Sequence, residues 1–366
     1  INISGTMTGP LNQFHLENFL VTNPKVNIRT ETMKVSNILK GNFQIETNSL
    51  STDLTYVDLK EMMPTFISSK MKNFADDFGR LKYNGAVRVT PKEVFVPKAN
   101  LITGIGQAKI TNFYLNDYSS ALPKYRGFAE VNDLNTSVIT KSKEVGLISG
   151  KFNLQGESFD VNTMRLKTRS QISKIEILNK EINTIYLDGF LDHKTYKGIV
   201  NVNDDQAKAN VNGFIDFRTK KLFADVTADV QFLNLNYFTG GTGSQIVSGL
   251  VKGKIGMTNL NDLNLDADLQ NVTFTNASQK YLIPNATVKA FFENGNRIVS
   301  VDAPGAVNGQ ISGRFNLGDL AGMVQNGIGK ILVGPPPRKI YRGQNFTMDF
   351  DVKQGLVGYF EPNLQI

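Results

Sequence analysis

Apolar and polar residues alternate with a period of two along most of this chain, the pattern of strands with one buried and one wet face. The longest run, residues 222–232, sets Leu222, Ala224, Val226, Ala228, Val230 and Phe232 on one side. Asp225, Thr227, Asp229 and Gln231 fall on the other. Just upstream, Ala209, Val211, Gly213, Ile215 and Phe217 alternate with Asn210, Asn212, Asp216 and Arg218, and Thr219-Lys220-Lys221 predicts the turn of a hairpin between the two runs. The same alternation recurs at residues 85–90, 185–192, 198–203 and 265–270. Gly150, Gly213 and Gly313 each precede such a run, which predicts strands opening on a glycine that permits a turn or bulge and a tightly coiled sheet. The fold class expected is mainly β: a long coiled antiparallel sheet forming an open trough, with one or two short capping or plugging helices.

Two segments break the alternation. Met62, Met63, Phe66, Ile67, Met71, Phe74 and Phe78 recur at helical spacing and predict a helix within residues 59–78, starting near Pro64. A second helix is expected within 317–333, ended by Gly334 and three prolines. The polar side of the first is mixed in charge, which favours capping or plugging a β-core over lying on a membrane surface.

Composition removes most catalytic chemistry. The 366 residues hold no cysteine, no tryptophan and two histidines, so thiol nucleophiles, disulfides and cysteine or multi-histidine metal sites are excluded. A Ser-His-Asp triad would need His15 or His193. His193 reads as a solvated turn residue, and neither lies near a Gly-x-Ser-x-Gly turn. Gly104-Ile105-Gly106 lacks the third glycine of a dinucleotide loop, and Gly327-Ile328-Gly329-Lys330 lacks the first glycine and the hydroxyl of a phosphate loop. Asp76-Asp77 and Asp204-Asp205 are adjacent pairs whose side chains diverge, so they do not form a general acid and base. No enzyme activity, cofactor or metal is expected. The net charge of +7 is spread over the chain, its densest cluster being Arg338, Lys339 and Arg342, so no nucleic-acid partner is expected either.

Length alone suggests two or three domains. The long strands instead suggest one continuous segment over residues 1–366, and the mid-strand look of Ile1-Asn2-Ile3-Ser4-Gly5 suggests a piece of a longer protein. A sheet whose apolar residues share one face must bury that face. Coiled into a trough, it would offer acyl chains a lining of Val200, Val202, Val211, Ile215, Phe217, Val226, Val230, Phe232, Leu265 and Leu269. The same residues would also serve as an ordinary closed core. An outer-membrane barrel, apolar outside and polar within, is disfavoured by the missing tryptophan and the helices.

Several runs resemble the central region of TamB proteins of the Bacteroidota. They include Gly150-Lys151-Phe152-Asn153-Leu154-Gln155-Gly156, Ile185-Tyr186-Leu187-Asp188-Gly189-Phe190, Val202-Asn203-Asp204-Asp205, Val211-Asn212-Gly213-Phe214-Ile215-Asp216 and Leu260-Asn261-Asp262-Leu263. Gly41-Asn42-Phe43-Gln44-Ile45-Glu46-Thr47 and Thr55-Tyr56-Val57-Asp58-Leu59 extend the resemblance toward the start. The family, similar to AsmA-like and bridge-like lipid-transfer proteins, implies a periplasmic β-taco anchored in the inner membrane outside this segment. It implies an apolar groove carrying phospholipid acyl chains toward the outer membrane, and a TamA/BamA-like outer-membrane partner. A scaffold for assembling outer-membrane proteins, pairing client strands at a sheet edge, is the second function the resemblance implies.

Overall fold

The computed structural model describes residues 1–55, 57–58, 78–140, 145–160, 162–177, 179–239, 245–320, 323 and 341–360. Twenty described strands belong to one antiparallel sheet that does not close into a barrel. Among the described residues three short α-helices accompany them: α1 (Thr136–Thr140), α2 (Leu235–Thr239) and α3 (Gln354–Phe360). The expectation of a mainly β chain built on one long antiparallel sheet therefore holds. Within it the chain gathers into two compact units, residues 1–194 with 202–204 and residues 195–201 with 205–366.

The first unit is a meander in which each strand pairs with the next. It runs β1 (Asn2–Thr8), β2 (Gln13–Thr22), β3 (Asn27–Ser36), β4 (Gln44–Thr55), β5 (Arg80–Val89) and β6 (Glu93–Thr103). It continues through β7 (Gly106–Asn116), β8 (Lys124–Asn135), β9 (Val145–Glu157), β10 (Arg165–Ile177) and β11 (Lys180–Asp192). Short turns make this possible. Gly104-Ile105 joins β6 to β7, and His193 and Lys194 after β11 both take the positive φ of a type I′ turn, 47° and 64°.

The buried side of this unit carries Leu54, Val96, Ala99, Tyr125, Ile172 and Ile185. Hydroxyls also point inward, which alternation alone reads as outward. Thr30 and Thr47 bond at 2.6 Å, as do Thr168 and Ser170, so each buried hydroxyl keeps a partner and the cost of desolvating it is met locally.

In the second unit β12 (Thr195–Asn203), divided between the two units, precedes another meander. It comprises β13 (Ala207–Asp216), β14 (Leu222–Asn234), β15 (Ile246–Met257), β16 (Asn264–Thr275) and β17 (Lys280–Glu293). Then come β18 (Asn296–Ala303), β19 (Val307–Arg314) and β20 (Asn345–Val352). The hairpin expected at residues 219–221 joins β13 to β14. Asn294-Gly295, both at positive φ, turns β17 into β18, as that dipeptide does in type I′ hairpins.

Large and small residues oppose each other across the apolar rows: Ile215, Ala224, Ile255, Leu265 and Ala290 form one, Val211, Ala228, Val251, Leu269 and Ala286 another. This complementarity is what lets neighbouring side chains interdigitate. It also makes alanine the most buried type here, with Ala224, Ala267, Ala286 and Ala290 at 2–7% exposure.

Gly150, Gly213 and Gly313 do not open strands. They lie inside β9, β13 and β19. At Gly213 a Cβ would stand 2.5 Å from the Asp225 carbonyl oxygen, so this glycine is required by a close approach between backbones. The glycines that do tolerate bulges sit opposite an Asn or Asp in the left-handed region. Gly127 (φ 156°) approaches Asn112 (φ 50°) and Phe113, and Gly249 (φ 146°) approaches the strand beyond Asn271 (φ 50°). Each bulge bends its strand, so the coiling expected of the sheet has a local cause.

The helix expected within 59–78 lies, apart from Phe78, outside the described residues. Of the one expected within 317–333, Leu317–Asp319 is a 3-10 turn, and most of the remainder is outside them. Among the described residues no helix is long and apolar enough to cross a membrane.

Candidate apolar groove

Six of the ten residues expected to line a groove share one face of β13–β16. The register sets Val211 opposite Ala228, Ile215 opposite Ala224, Val226 opposite Gly213 and Gly253, and Val230 opposite Ala209 and Gly249. Leu265 and Leu269 continue the face opposite Ile255 and Val251. All six are half-buried, while Asp225, Thr227, Asp229, Asp266 and Asp268 between them are exposed. Val200 and Val202, two apart on β12, are also half-buried.

Two of the ten fall elsewhere. Phe217 lies one residue beyond the end of β13 and is 36% exposed, because the strand turns away before the alternation can place it inward. Phe232 follows a bulge: Ala209 pairs with Val230 but Lys208 pairs with Phe232, leaving Gln231 as an extra residue. The bulge shifts the alternation by one, so Leu233 takes the inward place opposite Ala207 and Val247, and Phe232 stands opposite exposed Lys208.

Aromatic and apolar residues cover one end of this face and, separately, the apolar side of β18–β20 within the second unit. At the covered end, α3 brings Tyr359 over Phe274 and Tyr281 with ring centroids 6.4 and 6.0 Å apart, and the Gln245 amide donates to its hydroxyl at 2.8 Å. A buried cluster of Val272, Ile283, Ala286, Ala303 and Ala306 lies at that end, with Leu269 packed against it. On the β18–β20 side, Leu317, Leu320 and Met323 pack on Ile311, Phe315 and Phe346. A cap from residues 354–360 was not legible in the alternation.

Arg297 is the unexpected member of this face. It opposes Phe292 and Gly313 on β18, in phase with Val299 and Val301, and is 1% exposed. Its guanidinium lies 4.5 Å from the Phe292 ring centroid, and Nη2 donates to the Asn261 carbonyl. Among the described residues Nε and Nη1 have no hydrogen-bond partner. Burial lowers its pKa against the pull of Asp262, whose carboxylate accepts from the backbone N–H groups of Thr258 and Asn259. A buried cation left half-satisfied opposes folding. Arg297→Met, which keeps most of the volume and removes the charge, is expected to stabilise the second unit by about 1–4 kcal/mol. A raised urea midpoint checks this, and a lowered one would mean the guanidinium supports the fold.

The chemistry expected to be missing is placed as follows. His193, in the turn after β11, bonds the Asp192 carboxylate, which lowers the Asp192 pKa, and both side chains are over 40% exposed. Asp204 accepts from the Asn183 backbone N–H at 2.8 Å. Asp76 and Asp77 are outside the described residues. Cavities of about 490 and 610 Å³ in the first unit open on the polar side of the sheet, bordered by residues such as Arg126, Lys151 and Phe190. The alternation reads that side only as solvated surface. The chain matches no protein-family model, no curated protein and no solved structure.

Proposed function

We propose that this chain is a bridge segment that carries phospholipid acyl chains along the apolar face of its open sheet, between inner and outer membranes. One observation carries the reading: Val211, Ile215, Val226, Val230, Leu265 and Leu269 form a continuous face in register, yet none of them is buried. In the rows those six span on β13–β16, the buried apolar residues are alanines, Ala224 and Ala267, whereas a closed core would bury the larger side chains as well. Acyl chains laid against such a face gain about 0.8 kcal/mol per methylene removed from water and need no polar recognition, which suits cargo that must keep moving. The resemblance to TamB supplies the setting: the periplasm, an inner-membrane anchor outside this segment and a TamA/BamA-like outer-membrane partner. The reading needs no catalytic group and no cofactor.

Photocrosslinking in cells tests it. A photoreactive residue at Val211, Val226 or Leu269 is expected to capture phospholipid, and one at Asp225 or Asp268 on the opposite face is expected not to. Adducts of equal yield on both faces would refute a groove.

The second reading, a scaffold for outer-membrane proteins, is favoured by β1, whose seven residues are all exposed while it pairs with β2 along one side. Crosslinks from β1 to unfolded outer-membrane proteins, with none to lipid from Val226, would favour it.

A further inference from the structure

On the polar side of the first unit, outward residues of neighbouring strands fall into rows. One runs Lys109, Glu130, Lys151, Gln171, Tyr186 from β7 to β11. The next runs Thr111, Phe128, Asn153, Arg169, Asp188, and a third Tyr114, Arg126, Gln155, Lys167, Phe190. At about 4.8 Å between strands, each row is roughly 19 Å long. The first two rows border the cavity of about 610 Å³, and the third contributes most of its members to the neighbouring cavity of about 490 Å³.

Three features set this surface apart from ordinary wet sheet. Phe128, Tyr186 and Phe190 expose 51, 38 and 43% of their area among polar neighbours. Lys109, Lys151 and Lys167 have no carboxylate within ion-pairing distance among the described residues, whereas Arg169 is held by Asp188 at 2.9 Å. Arg126 lies over the Tyr114 ring at 4.4 Å, holding its charge at the surface. The comparable surface of the second unit also exposes two rings, Phe223 and Phe291, but its lysines Lys254 and Lys289 lie 4.0 and 3.9 Å from the carboxylates of Asp225 and Asp266.

We propose that this cleft binds an acidic polysaccharide. A pyranose ring has an apolar C–H face and a rim of hydroxyls, and each finds its complement here. The exposed rings take the C–H faces, the amides of Asn153, Gln155 and Gln171 take hydroxyls, and the lysines take the carboxylate, sulfate or phosphate groups that make the polymer acidic. Glu130, between Lys109 and Lys151, accepts from sugar hydroxyls. A glycan offers such hydroxyls on every sugar and the backbone of an oligodeoxynucleotide does not, which is why a glycan fits better. The length of the rows suits an extended chain of several sugars.

Affinity electrophoresis of the purified chain in gels containing polygalacturonate, dextran or neither tests this, with oligo(dT) titrated in parallel. Polygalacturonate is expected to retard the protein and dextran not to. The double variants Phe128→Ala/Phe190→Ala and Lys151→Ala/Lys167→Ala are each expected to weaken retardation at least tenfold, and Lys252→Ala on the second unit to leave it unchanged. All these side chains are exposed, and circular dichroism confirms that each variant folds. The proposal is overturned if polygalacturonate is not bound, if the ring variants bind as the parent does, if Lys252→Ala weakens binding as much as the lysine pair, or if oligo(dT) binds more tightly. It is independent of the lipid groove, which occupies the opposite type of surface, and either can fail without the other.

Discussion

Val226→Glu is expected to cut phospholipid capture by the apolar face at least tenfold, while Phe217→Glu leaves it within about twofold. Val226 sits in register with Gly213, Gly253 and Ala267, where small neighbours leave the valine as the largest apolar side chain of its row on β13–β16. A carboxylate there keeps water in the groove, so an acyl chain crossing the row loses the contacts of about two methylenes. At about 0.8 kcal/mol each that is roughly 1.6 kcal/mol, slightly more than a factor of ten. Phe217, beyond the end of β13 and already 36% exposed, offers no such contact to lose. Quantified lipid adducts from a photoreactive residue at Leu269, in each background, are the measurement. Equal loss in both variants would show that the face is not the conduit, and Val226→Leu, with full capture, controls for the fold.

Replacing Gly127 by valine is expected to destabilise the first unit by more than about 3 kcal/mol. Two costs combine. The backbone at φ 156° is one that a β-branched residue rarely adopts, and the new Cβ would lie 2.6 Å from the Phe113 Cα and 3.0 Å from the Asn112 carbonyl oxygen. Neither obstacle is a flexible side chain, so relief requires β7 and β8 to part across their bulge, where the register shifts between Thr111 and Tyr114. Gly295→Ala gives the scale of backbone strain alone. It too has positive φ, 77°, but nothing within 4 Å of its Cβ, and about 1 kcal/mol is expected. Urea unfolding of the two variants separates these contributions. If Gly127→Val unfolds near the Gly295→Ala midpoint, the close approach at the bulge does not hold the sheet together.

How far the alternation carried can be read from β14. Its inward residues from Leu222 to Val230 and its hairpin with β13 were legible, because a period of two leaves only one way to bury that side. The bulge at Gln231 was not. Phe232 and Leu233 are both apolar, so either can face inward, and the choice falls to the pairing of Ala207 and Lys208 on the neighbouring strand. Buried hydroxyls were missed for a related reason: Thr30 and Thr47 satisfy each other across two strands, and nothing local marks them as a pair. Glycine was read correctly as a device for bulges but at the wrong positions, since what identifies Gly127 is an asparagine fifteen residues away on another strand. Tyr186 and Phe190 stand in phase with Asp188, on the side that the alternation reads only as solvated surface. Only the register, which collects Phe128 and the lysines beside them, makes a surface of them.

Within each meander every strand finds its partner in the strand made just before it. Except from β4 to β5 and from β19 to β20, sequence separations stay near one hairpin, so closing each new pair costs little loop entropy, and folding can advance in step with synthesis. Outside those two connections, no strand within a meander has to wait, unpaired and prone to aggregate, for a distant segment to emerge. Growth of such a sheet by duplicating a hairpin would add to its length without disturbing any pair already made.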